Sequence, residues 1–274
     1  MSIIKLMMFE YKRIWKLYLA LVIAVTCIQL FFIWYGSYTH AEMYKELARE
    51  SGRTYYQIAQ QDQLSFVHVF NSFPIHASIM ISIAALLLYS CFIWYRDWVG
   101  KYPMAQRLLT LPIHRSALYF SKLGTIFTFV LGMIALQYLI ILAGIGLVHL
   151  TVPSEFLQGN PLVLSSIARF SQVFSVILPL TFKSFLLMYG TGFTFLTVAF
   201  TVIVIERSFR MKGWFIGAAY MAIAVAFNGL GTYISLKLHL FESEVFIVFG
   251  FTLVITSILS SLLCIYLLQR KVTV

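Results

Sequence analysis

Few side chains in this sequence are placed to do chemistry. Gln29, Gln137 and Asn228 are the main polar groups inside its long apolar runs. Amides at such depth serve more often as hydrogen-bond partners between helices than as substrate ligands. His68 and Asp62 lie in a polar segment and His76 and His149 at the ends of apolar runs, without the HxxxH or HExxH spacing of a metal site. No GxSxG, paired-acid or HExxH motif supplies a hydrolase with nucleophile and base. Gly190-Thr191-Gly192 sits in an apolar run with no following lysine, unlike a phosphate loop, and no GxxxxGKS/T sequence occurs. Any ATP that drives this protein is therefore bound by another chain. Cys27, Cys91 and Cys264 all fall inside apolar runs, where they read as small packing residues. The sequence thus assigns no catalytic, cofactor-binding or metal-binding residue.

These sparse polar groups must be carried by membrane-spanning helices. Of 274 residues, 61% are hydrophobic and 11% charged, and mean hydropathy is +0.88. A soluble domain carries about a quarter charged residues. Several runs of roughly 20 apolar residues match the length of a helix crossing about 30 Å of hydrocarbon. The runs are continuous rather than alternating, which argues against a barrel. Six spans are expected, at about 17–36, 75–95, 123–150, 184–205, 213–235 and 245–268. The first is long enough to span and has no small-x-small cleavage site, so it does not read as a signal peptide.

Orientation follows from the basic residues. Of 20 Lys and Arg, six (Lys45, Arg49, Arg53, Arg169, Lys183 and Lys237) fall in segments 37–74, 151–183 and 236–244. The remaining fourteen fall in the tails and in segments 96–122 and 206–212, which places both termini in the cytoplasm. The formal charge of +10 is explained by this bias and does not imply nucleic acid. Interior carboxylates and histidines, which ion-coupled transporters need, are almost absent from the spans.

Ser2–Lys16 is amphipathic at helical spacing, with Lys5, Lys12, Lys16 and neighbouring Arg13 opposite Ile3, Ile4, Met7, Tyr11 and Ile14. Such a segment suits an interfacial helix against anionic lipid headgroups, or a direct extension of the first span. In the 37–74 segment, Glu42/Lys45, Glu46/Arg49 and Glu50/Arg53 favour a solvated helix that Gly52 weakens or ends. Val163, Ile167, Phe170, Phe174 and Ile177 predict one amphipathic outer helix broken at Pro179. In the fifth span, Gly213, Gly217, Ala218, Ala222 and Ala226 form small-residue rows for close helix packing or a dimer face.

The longest basic break in hydrophobicity is Trp98–Lys122. Pro103 suits a first helical turn, Met104–Thr110 can form two turns, and Leu111-Pro112 ends them. A second helix starts near Pro112 and runs into the third span. The result is a short surface helix that carries Leu108, Leu109 and Leu111 between Arg107 and Arg115. The run Gln106–Lys122, QRLLTLPIHRSALYFSK, resembles the LL-x-LP-I/V/T-x-R…K stretch between the second and third spans of ABC-2-type permeases. These are the membrane subunits of bacterial ABC exporters of the type V class. The matching positions are Leu108, Leu109, Leu111, Pro112, Arg115 and Lys122.

The resemblance implies a six-helix subunit of the bacterial cell membrane that pairs with a second permease subunit, identical or paralogous. It also implies a separate cytosolic ATPase that supplies ATP and magnesium. Lys5, Lys12, Arg13 and Lys16 would lie on an interfacial elbow helix. Met104, Arg107, Leu108, Leu109, Leu111, Pro112 and Arg115 would couple to the ATPase. The implied activity is export of a hydrophobic or amphipathic substrate such as an antimicrobial peptide, drug or lipid. A secondary transporter or channel, a membrane-bound enzyme, and a non-transporting sensor or immunity subunit are the alternatives. Family members often carry re-entrant outer helices between the fifth and sixth spans, where this chain has only Leu236–Glu244.

Overall fold

Stretches of 26 to 49 residues without a helix-stopping signal dictate the architecture. The computed structural model describes residues 3–52, 64–98, 114–153, 156–157, 163–209 and 211–271. Among these are α1 (Ile3–Ser51), α2 (Phe66–Phe70), α3 (Phe73–Trp98), α4 (Arg115–Thr151), α5 (Val163–Phe170), α6 (Gln172–Ile177), α7 (Phe182–Phe209), α8 (Met211–Lys237) and α9 (Glu242–Arg270). Six of them, α1, α3, α4, α7, α8 and α9, are long and apolar enough to cross a membrane. Each contains one of the six expected spans. The protein is an all-α, multi-pass membrane protein. Among the described residues the sole extended pairing is a parallel bridge between Leu64 and Leu157.

The 49 residues of α1 extend about 74 Å at 1.5 Å per residue. No break separates Lys16 from Leu17, and the helix that was expected to be a separate solvated element in 37–74 is the end of the same rod. The cause is local, because neither glycine nor proline occurs between Ile3 and Tyr35. The rod stops where Gly52 takes a φ of +60°, a left-handed conformation that suits glycine at a helix end. Leu6, Glu10, Ile14, Val25, Gln29, Ile33, Ser37 and Ala41 are all buried, largely at four-residue spacing that keeps them on one face. Of the acid–base pairs expected in this segment, Glu42 and Lys45 meet at 2.8 Å.

Residues 163–178 differ from the single amphipathic helix expected there. Ser171 interrupts it: its hydroxyl accepts from the Phe174 N–H and opens a new helix, α6. The interruption shifts the phase of the apolar stripe. Ile167 and Phe174 are buried, whereas Phe170, predicted on the same face, is 69% exposed.

The chain divides into two compact units. One comprises Trp15–Ala85 and Phe129–Phe182. Within it, the Gln29 side-chain amide donates to Ser78 at 2.8 Å, so one of the three intramembrane amides joins two helices. Tyr44 stacks on Phe156 at 4.8 Å, and the Leu64 N–H donates to the Phe156 carbonyl at 2.8 Å. The other unit comprises Met1–Ile14, Leu86–Thr128 and Lys183–Val274. It holds the start of α1, the end of α3, the start of α4, and α7, α8 and α9.

Candidate functional site

Three helix segments of the second unit each place one ionised side chain on an otherwise apolar buried face. On α1, Glu10 lies one turn from both Leu6 and Ile14, and all three are buried. On α3, Asp97 shares a face with buried Ile93 and Trp94. On α4, Lys122 follows Tyr119 by three residues and precedes Ile126 by four, and all three are buried. Lys122 is fully buried, and Glu10 and Asp97 are each 2% exposed.

An ammonium has three protons and no acceptor of its own. Here all three are used. Lys122 donates to Glu10 Oε1 at 3.0 Å, to the Ile93 carbonyl at 2.9 Å, and to Asp97 Oδ2. Two part-buried arginines take the outer carboxylate oxygens. Arg13 donates to Asp97 Oδ1 at 2.7 Å, and Arg96 donates to Glu10 Oε2 at 2.6 Å. Arg13 also stands 3.8 Å from Glu10, which closes a ring of Lys122, Glu10, Arg13 and Asp97. The Lys122 ammonium lies 5.2 Å from the centre of the Trp94 ring, a cation–π contact. Arg13 and Arg96 pack over Phe9 and Tyr89 in the same way.

Neither protein-family models, nor curated proteins, nor solved structures show a match to this chain. Its function must therefore be argued from this geometry.

Counted with Arg96, which joins it at Glu10, the ring has three cations and two anions, and every carboxylate oxygen in it accepts a hydrogen bond. With its carboxylates saturated, it is not arranged as a general acid or base. It is a mechanical joint, because each buried ion depends on the others for the solvation that water would otherwise give. The joint binds the end of α3 to the start of α4, the two helices that flank residues 99–113. Two further ties meet at the same ends. Tyr95 donates to the Glu206 carboxylate, with Arg207 over its ring at 5.0 Å. Arg115 donates to the last carbonyls of α9, those of Leu268 and, at 3.1 Å, Gln269. A guanidinium is favourable there because a helix C-terminus carries partial negative charge.

The residues singled out from sequence separate into three groups. Met104, Arg107, Leu108, Leu109, Leu111 and Pro112 lie outside the described residues. Arg13, Arg115 and Lys122 are tied into the joint or beside it, while Lys5, Lys12 and Lys16 are exposed. The small-residue row of α8 splits. A Cβ on Gly213 would stand 2.6 Å from the Glu206 backbone, and one on Gly217 3.1 Å from Val202, so these two glycines serve packing onto α7. Ala218, Ala222 and Ala226 are exposed. Among the described residues, no three His, Cys, Asp or Glu side chains come together as a metal site.

Sequence reasoning missed Glu10 and Asp97. A signal was present: each is an acid on a buried helical face in the part of the chain richest in Lys and Arg. The charge-bias rule counts only basic residues, so it passes over them.

Proposed function

We propose that this chain is the transmembrane permease subunit of an ATP-driven ABC exporter in a bacterial cell membrane, with both termini cytoplasmic. The ATP chemistry belongs to a separate cytosolic subunit, and a second permease subunit, identical or paralogous, completes the pathway. One observation carries the reading. Both charged positions of the Gln106–Lys122 resemblance, Arg115 and Lys122, are engaged in fixing the flanks of 99–113 to the helices. A segment pushed by a partner has to be anchored in this way if its motion is to reach the spans. The hypothesised transmission is rigid-body: closure of the ATPase dimer moves 104–112, and α3 and α4 follow through the ion ring. Exposed Lys5, Lys12 and Lys16 support placement of the start of α1 at an anionic lipid surface. The apolar spans suit a hydrophobic or amphipathic substrate.

Affinity purification in mild detergent tests the reading. An ATP-hydrolysing subunit should travel with the wild-type chain. Leu109→Glu should abolish that association while leaving membrane insertion intact. Absence of any ATPase from the wild-type preparation would refute the permease reading, and retained association in Leu109→Glu would remove the coupling role of that leucine.

A further inference from the structure

Two histidines far apart in the chain meet within the unit that comprises Trp15–Ala85 and Phe129–Phe182. His40 on α1 and His68 on α2 have ring centres 5.5 Å apart and ring planes inclined at 70°. They share a cavity of about 280 Å³ with Phe32 and Gly36 of α1 and with Asn71 and Ser72 of the turn between α2 and α3. Phe32, Gly36 and His40 follow one another at four-residue spacing, which puts them on one face of α1. The cavity thus lies where the first expected span ends and the second begins.

Both histidines stand on backbone that packing holds in place. Beside His40, Ser37 and Ala41 are buried, and Tyr44, one turn on, stacks on Phe156 at 4.8 Å. A helix as short as α2 is not stable by itself, so tertiary contacts must place His68. Phe66 and Phe70 are buried on either side of it. Phe66 lies 5.4 Å from the His149 ring, and Phe70 packs so tightly on Gly144 that a Cβ there would stand 2.8 Å away. The Asn71 N–H closes α2 on the Val67 carbonyl at 2.9 Å.

The walls carry donor atoms but no fixed charge: none of the described lining residues is Asp, Glu, Lys or Arg. A pocket built for a phosphate or carboxylate presents Arg or Lys. A neutral imidazole is instead a ligand for ions such as Zn²⁺, Cu²⁺ and Ni²⁺. With metal–nitrogen bonds of about 2.0–2.1 Å, two imidazoles on one tetrahedral ion have ring centres roughly 5–6 Å apart. The observed separation of 5.5 Å falls in that range. Ser72 adds a second observation, because its hydroxyl oxygen is buried with no hydrogen-bond partner. Such an orphan calls for a bound group in the cavity, and a water held by the ion would supply the missing bond.

We propose that His40 and His68 bind a divalent transition-metal ion of the zinc type in this cavity, bridging α1 to α2. The rings meet edge to face, so entry of the ion turns one of them to present its nitrogen. Two protein nitrogens leave two positions of a tetrahedral ion to water, which makes the site open and exchangeable rather than a closed structural centre. The assignment is independent of the exporter reading, since it uses no residue of the ATPase-coupling segment.

Isothermal titration of the full chain in detergent, free of any polyhistidine tag and stripped with a chelator, tests this. Zinc chloride should bind saturably, and magnesium, which takes oxygen ligands, should not. His40→Ala and His68→Ala should each weaken zinc binding at least about tenfold. His239→Asn, at an exposed histidine outside the cavity, should leave it unchanged. His68 is itself exposed, so its variant keeps the fold even where His40→Ala does not. Absence of saturable zinc binding by the wild-type chain, or wild-type affinity in His68→Ala, would overturn the site. Inorganic phosphate titrated in place of zinc should give no saturable heat, and phosphate binding that is lost in His68→Ala would assign the cavity to an anion instead.

Discussion

Replacing Lys122 by methionine removes the centre of the ion ring and leaves most of its packing in place. Methionine keeps a stem of similar length beside Trp94, so the loss is chiefly electrostatic. It comprises two charge-assisted hydrogen bonds and one to the Ile93 carbonyl. Hydrogen bonds to charged groups contribute about 1.5–3 kcal/mol each. Breaking a buried pair so that one charge is stranded costs about 3–5 kcal/mol. Here neither carboxylate is stranded, because Arg96 stays on Glu10 and Arg13 on Asp97. The ring passes from three cations and two anions to two of each, and removal of the ammonium also removes its own desolvation cost, which offsets part of the loss, so Lys122→Met should cost about 2–3 kcal/mol. Glu10→Gln takes the ring the other way, to three cations around Asp97, and should cost about 4 kcal/mol.

Thermal unfolding in detergent, followed by loss of the monodisperse chromatographic peak, reads the difference. At roughly 2–4 °C per kcal/mol for a chain of this size, Lys122→Met should melt about 4–12 °C below wild type and Glu10→Gln about 8–16 °C below. The combined variant removes one charge of each sign and restores the excess of one cation. It should therefore be milder than the sum of its parts, by about 1–3 kcal/mol. Strict additivity, or melting of Lys122→Met within about 1 °C of wild type, would refute the ring as a cooperative unit.

Two further outcomes follow from the geometry. Gly213→Ala and Gly132→Ala both force a Cβ into close contact, but with different obstacles. At Gly213 the obstacle is the Glu206 backbone at 2.6 Å, and at Gly132 it is the Tyr18 hydroxyl at 2.5 Å. Backbone cannot give way, so Gly213→Ala should cost about 1–3 kcal/mol. A tyrosine tip can swing aside, with loss of its 3.2 Å hydrogen bond to the Phe129 carbonyl, so Gly132→Ala should cost about 1 kcal/mol. The reverse order of melting temperatures would contradict the contacts. Orientation is open to an impermeant maleimide applied to intact cells after Cys27 and Cys91 are replaced by alanine. Lys45→Cys should be labelled from outside and Lys12→Cys only after permeabilisation, and the opposite pattern would invert the topology.

The six spans were legible because the signal is one-dimensional: about 20 apolar residues in sequence decide burial in lipid without reference to any other part of the chain. A local error arose where a single side chain redirected the backbone. Ser171 offers its hydroxyl to the Phe174 N–H and so competes with helix continuation, which a periodicity count cannot register. At Lys16 the amphipathic pattern left two readings open, an interfacial helix or a direct extension of the first span, and nothing in the covalent chain stops the helix already begun.

The ion ring was illegible for another reason. Its partners are 84 residues apart from Arg13 to Asp97 and 112 apart from Glu10 to Lys122. No window of sequence shows that two acids with apolar neighbours on their own helices will meet a lysine from a third. Read with the structure, those acids make sense of a feature that charge bias leaves unexplained. Basic residues alone would set the orientation of segments 96–122 and 206–212, so Glu10, Asp97 and Glu206 are not needed there for insertion. Each instead accepts a hydrogen bond from a different helix, at the ends where α1, α3, α4 and α7 begin or finish. The joint is thus built at the helix ends that the Lys and Arg residues single out, where charge that insertion does not require is used to tie one helix to the next.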